Sequence, residues 1–178
     1  MQQVPLTPQT PTLADLNRMD AAGFAASLSG IFEHSSWVAD RAAPKRPFGS
    51  LDSLHGALVA AMWAADVDEK LALLRAHPQL AGKEAEAGTL TAHSTDEQDS
   101  VGLTRLSADE KAKIVALNAA YLTAHGFPFI IAVKLRTKRE IFAEFERRVN
   151  NAREIEFTTA LSEVGWIARI RLEALLQA

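Results

Sequence analysis

Five segments of this chain repeat apolar residues three and four positions apart, and this period constrains the fold more than any other feature. The segments cover residues 24–32, 54–65, 114–122, 141–149 and 161–176. Residues at that spacing share one face of an α-helix, whereas a half-buried strand alternates at every second position. The sequence therefore predicts an all-α fold, a single-domain bundle of several helices.

Short polar motifs mark where several of these helices begin. Ser107 and Thr137 are each followed three residues later by a glutamate. In such a pair the hydroxyl accepts a hydrogen bond from an amide at the helix start, and the acid accepts one from the amide of the hydroxyl residue. Ser94 and Glu97 fit the same pattern, which makes a helix start at Ser94 the first interpretation of that motif.

The chain between the third and fourth periodic segments breaks the helical pattern. Residues 127–133 read FPFIIAV, an apolar and β-branched run interrupted by proline. Proline disfavours helical dihedrals in the residue before it, and such a run is consistent with a buried extended chain. We expect a bent, buried connector between two helices.

Length favours one domain. A chain of 178 residues falls within the usual size of a single domain.

Residues 1–12, rich in Gln, Thr and Pro, are expected to form a flexible tail, which leaves residues 13–178 as the helical domain. The tail does not resemble a secretory signal, and no stretch is long and apolar enough for a membrane span. We therefore expect a cytoplasmic protein.

Charge and cysteine usage narrow the range of partners and sites. The 19 basic and 22 acidic side chains give a net charge of −3, without a long block of either sign. Such a surface lacks the basic stripe or patch that binds nucleic acid or an acidic membrane. Without cysteine the chain has no disulfide, no thiolate zinc site and no cysteine nucleophile. We expect neither nucleic acid nor a membrane as a partner.

One region carries most of the candidate chemistry: His77 and Pro78 are joined by a glycine-containing loop to Ser94, Glu97 and Gln98. Pro78 biases His77 away from helical dihedrals and so sets the direction of its ring, as a general acid or base requires. A helix start near Ser94 offers free amides to an anionic or carbonyl-bearing ligand. In the purely structural alternative, Ser94 only caps a helix and His77 only bonds the last carbonyls of one.

Arg171 lies on the apolar stripe of the last periodic segment. Its neighbours at helical spacing, among them Val164 and Ile167, are apolar. A buried arginine is costly unless it is paired, so Arg171 should meet either a protein carboxylate or an anionic ligand. Arg169, by contrast, is expected at the surface.

A metal site is a further alternative for the same region. His93 and Glu97 stand four residues apart and can share a helix face. A third ligand must then come from His34, His55 or His125, and the chain contains no HExxH or ExxH spacing. We expect no metal.

Residues 32–38, FEHSSWV, combine two aromatic residues with a short polar turn. This arrangement is typical of packing at a helix junction. We expect His34 to be structural and Trp37 to anchor the core, with its indole N–H bonded to a backbone acceptor.

Five motifs follow one another along the chain: FEHSSWVADRA (32–42), AHPQLAGK (76–83), LTAHSTDEQ (90–98), HGFPFIIAV (125–133) and IARIRL (167–172). In this order they resemble the 2-oxo-4-hydroxy-4-carboxy-5-ureidoimidazoline (OHCU) decarboxylases of the urate-to-allantoin pathway. One such motif is weakly specific, but five in register across nearly the whole predicted domain are specific.

The resemblance implies an all-α homodimer that needs no metal or organic cofactor. It places the family's catalytic histidine at His77, followed by Pro78, and substrate contacts at Ser94, Glu97 and Gln98. Glu97 is also a candidate to share the catalytic proton with His77. The remaining implied contacts are the backbone of Phe129, Ile130, Ile131, Ala132 and Val133 and the side chain of Arg171.

The implied activity is that of a carboxy-lyase, which decarboxylates OHCU to (S)-allantoin. No cofactor is expected because the conjugated carbonyl and imine of the substrate accept the electron pair. The chain departs from the family at His93, where a glutamate commonly precedes the serine. Two other classes remain as alternatives: a non-catalytic helical module that binds a ureide or a partner, and a metal-dependent hydrolase built on His93 and Glu97.

Overall fold

Ten α-helices make up most of residues 10–176, the part of the chain that this computed structural model describes. The predicted all-α bundle is confirmed. Residues 1–9 of the predicted tail lie outside the described residues. The helices are α1 (Leu13–Arg18), α2 (Ala21–Ser27), α3 (Trp37–Ala42), α4 (Leu51–Ala64), α5 (Val67–Arg75), α6 (Lys83–Ala87), α7 (Ala92–Ser100), α8 (Ala108–His125), α9 (Lys138–Arg148) and α10 (Arg153–Leu176), with 3-10 turns at Ala43–Lys45 and Val133–Leu135.

Local capping chemistry sets the starts of α8 and α9 as predicted. The Ser107 and Thr137 hydroxyls accept from the amides three residues ahead, and the glutamates there accept from the Ser107 and Thr137 amides at 2.8 and 2.7 Å. The predicted start at Ser94 is wrong. Thr91 caps α7 and accepts from the Ser94 amide, because it supplies the same hydroxyl one turn earlier.

The predicted helix over residues 24–32 ends early, at Ser27. Leu28, Ile31 and Phe32 are still buried, but in successive turns in which the Ile31 amide donates to the Leu28 carbonyl. Apolar residues three positions apart can be buried by successive turns as well as by a helix, so the apolar pattern alone does not distinguish the two structures. The turns bring Glu33 into the interior, where it is 3% exposed.

The connector after α8 is buried and non-helical, as predicted. Gly126 ends α8 in the left-handed conformation, with φ of 78°. Phe127 and Phe129 then enter the core, and the Phe129 ring stacks on Phe145 of α9 at 3.9 Å. Tyr121 of α8 packs edge-on against Phe129, which locks the connector between the two helices.

Helix α10 packs against three other helices and carries a buried face with charged residues. It has 24 residues and packs against α4, α5 and α8. Glu156, Glu163, Ile167 and Arg171 follow one another along it at spacings of seven, four and four residues, so they lie on one face. All four are buried, so this face carries three charged groups into the interior. Within residues 10–176, no helix is both long and apolar enough to cross a bilayer.

Candidate active site

The structure brings most of the predicted site residues around one cavity that opens to solvent. The loop after α5, helix α7 and the connector after α8 each contribute a wall. Leu80 and Ile167, which the sequence did not single out, add apolar surface. The predicted residues that line the cavity are His77, Pro78, Ser94, Glu97, Gln98, Phe129, Ile130, Ile131, Val133 and Arg171.

Helix α7 presents a polar face to the interior. Its two buried residues are Ser94 and Gln98, which stand one turn apart. Polar side chains are rarely buried without a partner, and packing against an apolar core does not explain why the inner face of a helix is polar. The Gln98 carbonyl accepts from the Ala81 amide at 2.8 Å, while its amide nitrogen meets no acceptor among residues 10–176. That nitrogen is available to a ligand.

Arg171 forms the centre of a buried ion cluster. Its Nε and Nη2 donate to the two carboxylate oxygens of Glu97 at 2.8 and 2.9 Å. Its Nη1 donates to Glu33 at 3.0 Å and to the Gly30 carbonyl at 3.2 Å. The predicted burial of Arg171 is confirmed, and the side chain is only 3% exposed. Arg171 was expected to pair with a carboxylate, and it pairs with two, those of Glu97 and Glu33.

Glu33 is the residue that sequence reasoning missed. Its Oε1 accepts from the Thr91 hydroxyl at 2.8 Å, and its Oε2 accepts from Ser94 at 3.3 Å and from Arg171. Residues 32–38 were expected only to pack. One signal pointed to Glu33: the buried stripe around Arg171 required a carboxylate partner, and Glu33 is an acid beside the apolar Phe32.

The cluster keeps its charges despite burial. Loss of water opposes ionisation of Glu33, but the Arg171 guanidinium and the hydrogen bond from Thr91 hold its pKa below the ordinary value. Burial likewise disfavours the charged form of Arg171, and the Glu97 and Glu33 carboxylates outweigh it and raise its pKa. Both residues are therefore charged at neutral pH.

His77 stands at the cavity wall just beyond α5. Its Nδ1 lies 2.9 Å from the Leu73 carbonyl, which can only accept, so Nδ1 carries the hydrogen. Nε2 is buried and has no partner within the described chain. Burial, partly offset by the Leu73 carbonyl and the Glu33 carboxylate, lowers the pKa of His77. The bond to the helix carbonyl and a role in chemistry are thus compatible, because they use different nitrogens.

Two arginine–glutamate pairs hold the connector from the protein side. Arg148 of α9 donates to the Ile130 carbonyl at 2.9 Å and is itself held by Glu156. Glu163 of α10 accepts from the Ala132 amide at 2.8 Å. These buried contacts fix the connector's path along the cavity.

The prediction that Ala132 contacts a ligand is the exception in the connector. Ala132 does not line the cavity, because Glu163 occupies its amide and Arg136 donates to its carbonyl at 3.2 Å. The Ile131 and Val133 amides donate to no acceptor within residues 10–176, and both residues line the cavity.

The side chains weighed for other roles lie elsewhere. His93 and His34 are exposed, and Glu97 faces Arg171. Among residues 10–176, no three His, Asp or Glu side chains are grouped as metal ligands. Trp37 is partly buried, with Arg41 stacked on its ring at 4.6 Å. Arg169 is partly exposed and bonds Glu173 at 2.6 Å, in agreement with its predicted surface position.

Comparisons of the sequence agree on one family. A family model described as OHCU decarboxylase matches residues 17–173. The chain is 43% identical over 161 residues to the 2-oxo-4-hydroxy-4-carboxy-5-ureidoimidazoline decarboxylase of Haloferax volcanii, covering 90% of this chain and 94% of that protein. It is 36% identical to the protein of that name from Mus musculus, covering 93% of each.

Some relatives are longer. The chain is 42% identical over 161 residues to the uric acid degradation bifunctional protein PucL of Bacillus subtilis, and this match covers 90% of the chain. It spans about a third of that relative's length, 32%.

Solved structures share the fold. A crystal structure of (S)-allantoin synthase superposes with a TM-score of 0.75 and 32% identity, covering 93% of this chain and 54% of that one. A crystal structure of OHCU decarboxylase in the presence of (S)-allantoin has a TM-score of 0.68 at 20% identity, covering 85% of this chain and 99% of that one.

Proposed function

This chain belongs to the OHCU decarboxylase family, and we propose that it converts OHCU into (S)-allantoin and CO₂ in the breakdown of urate. The observation that carries the proposal is the unpartnered Nε2 of His77, a residue in the wall of a cavity that Arg171, Gln98, Ile131 and Val133 also line. This set supplies one proton-transfer atom and several fixed donors, the groups that a decarboxylation through an enolate-like intermediate requires.

The substrate carries the electron sink. Carbon 4 of OHCU bears the carboxylate and the hydroxyl, and the neighbouring carbon 5 bears the ureido group and a double bond to ring nitrogen. When the bond to the carboxylate breaks, CO₂ leaves and the electron pair moves through the C=N bond to that nitrogen, which takes up a proton. The resulting enol then loses its hydroxyl proton while carbon 5 gains one. One proton is consumed in each turnover, and no cofactor is needed.

His77 is the proposed proton-transfer group, in keeping with the family resemblance. Only Nε2 is free to exchange a proton, because Nδ1 is engaged by the Leu73 carbonyl. Delivery from one fixed nitrogen reaches one face of carbon 5, which accounts for a single enantiomer. Pro78, the next residue, lines the same wall.

The fixed donors hold the rest of the substrate. We assign the ureido carbonyl to the Gln98 amide nitrogen, and the polar edge of the ring to the Ile131 and Val133 amides. Preorganised donors stabilise developing negative charge without reorganising. Phe129 and Ile130 supply apolar wall on the same side.

Arg171, Glu97 and Ser94 form the opposite polar wall. We propose that the guanidinium attracts the substrate carboxylate, and that Glu97 accepts from the ring hydroxyl and shares the proton with His77. Because Arg171 already holds two carboxylates, its fork is fixed before the substrate arrives. A preformed fork adds orientation as well as charge.

The family resemblance also supports a homodimer that works in the cytoplasm, and we propose both. Light scattering on the purified chain tests the first part. A mass of two chains is the expected result, and a monomer at micromolar concentration contradicts it.

The activity is tested by generating OHCU in a cuvette from urate with urate oxidase and hydroxyisourate hydrolase, with a chelator present. Circular dichroism follows the appearance of optically active allantoin. Faster decay into one enantiomer supports the proposal. Decay at the spontaneous rate to a racemate, with the protein shown to be folded, overturns it in favour of a ureide-binding module. Loss of activity only when the chelator is present favours the metal-dependent hydrolase.

A further inference from the structure

Glu33 is a buried carboxylate that the reaction scheme has not used. It lies in the turns after α2, and all its partners are donors: Thr91, Ser94 and Arg171. Arg171 already has a bidentate partner in Glu97. A second carboxylate is therefore more than charge pairing of Arg171 requires.

The charges of the cluster do not balance. Arg171 contributes one positive charge, Glu33 and Glu97 contribute two negative charges, and burial favours neutral His77. The buried cluster thus carries a net charge of about −1, and the substrate adds its own carboxylate. Uncompensated buried charge is costly, so an anion enters such a site with a compensating proton. Nε2 of His77 is the buried base there without a partner within the described residues.

We propose that Glu33 is a positioning residue for the decarboxylation proposed above: its carboxylate anchors Arg171 and supplies the negative charge that lets the buried Nε2 of His77 take up the proton consumed in each turnover. The inference rests on that function. It assigns to Glu33 an action through His77 and Arg171, without contact to the substrate.

The other charges around His77 fit this assignment. The Glu33 and Glu97 carboxylates favour its protonated form, and Arg171 opposes it. On its outer side His77 borders two clefts open to solvent, which are lined by Glu33 itself and by His34, Arg75, Lys83 and Glu84. The charges of Arg75, Lys83 and Glu84 are screened by water, so the buried carboxylates dominate.

Glu33→Gln tests the assignment because it removes the charge and nearly preserves the shape. The pKa of His77 is measured by NMR titration of its ring carbon proton, which is assigned with His77→Asn. We expect the variant to titrate at least about one pH unit lower than the wild type, equivalent to tenfold weaker proton binding. The pH profile of kcat/KM should shift by the same amount, so that the loss at neutral pH is recovered in mild acid.

Two variants provide controls. Thr91→Val removes a donor to Glu33 and retains the charge, so the His77 titration should stay near the wild-type value; it also tests the assignment if Glu33→Gln fails to fold. Glu156→Gln alters a buried carboxylate in the separate cluster with Arg148 and should leave the His77 titration unchanged.

The outcomes separate the two proposals. An unshifted His77 titration in folded Glu33→Gln overturns the role of Glu33, as does a shift of similar size in Thr91→Val, whatever the wild-type activity. A wild type without decarboxylase activity overturns the proposed function but leaves the titration shift measurable.

Discussion

Replacing Arg171 with leucine tests the buried cluster most directly. The substitution removes five donor contacts and leaves Glu33 and Glu97 facing the interior without a cation. Breaking a buried ion pair from one side costs about 3–5 kcal/mol, because the remaining charge stays buried. For a chain of this size such a loss lowers Tm by roughly 6–20 °C. Activity should fall to the spontaneous rate, since the same guanidinium faces the cavity.

The destabilisation should depend on pH in a defined direction. In the wild type Arg171 holds the pKa of Glu33 below its ordinary value, so Glu33 contributes stability that is present above about pH 4.5 and is lost as pH falls through the folded pKa. In the variant the unpaired carboxylates bind protons more readily in the folded state than in the unfolded state. Its stability should therefore rise as pH falls from about 8 toward 5, and the deficit should shrink.

Urea unfolding followed by far-ultraviolet circular dichroism measures both effects. Arg169→Leu is the matched control: it lies two residues away on the same helix, pairs at the surface with Asp52 and Glu173, and should cost much less stability because exposed ion pairs are screened by water. Equal losses in the two variants, or a deficit in Arg171→Leu that does not change with pH, refute the reasoning. Normal turnover by folded Arg171→Leu confines the residue to a structural role.

Three further predictions concern His77 and the connector. His77→Ala should retain the helical spectrum and lose turnover; a near-normal rate in a folded variant removes His77 from the mechanism. Because burial lowers the pKa of His77, this residue makes the wild type lose stability as pH falls below about 6.5, the unfolded value. His77→Gln should therefore show a flatter dependence of Tm on pH in that range, and an unchanged slope contradicts the burial argument. Glu163→Ala leaves the Ala132 amide and Arg136 without their carboxylate, so we expect a loss of about 1–3 kcal/mol and a lower kcat. Glu163→Gln, which retains an acceptor for that amide, should recover part of both; equal damage by the two variants argues against the amide contact.

Local sequence information was sufficient where one helical turn decides the outcome. The starts of α8 and α9 depend on a hydroxyl and an acid three residues apart, and both starts were predictable. The same pattern misled at Ser94, because Thr91 competes for the same role and the chain selects the start that turns Ser94 inward. Only burial of that face distinguishes the two choices.

Long-range partners explain the remaining differences. Glu33 lies 138 residues from Arg171 in sequence, and no spacing rule relates them. Ala132 differs from its neighbours only because Glu163 of α10 reaches its amide. In both cases the hydrogen-bond partner comes from an element distant in sequence, so the local sequence pattern does not predict it.

The sequence by itself determined the helical class, the buried connector and the residue types of the site, because apolar period, proline and capping chemistry act within a few residues. It also marked Arg171 as a buried charge that needs a partner. Only the tertiary structure decided which carboxylates pair with that charge, which nitrogen of His77 remains free and which residues of the connector line the cavity. Those outcomes depend on burial and on hydrogen bonds between distant segments, and both exist only once the helices have packed.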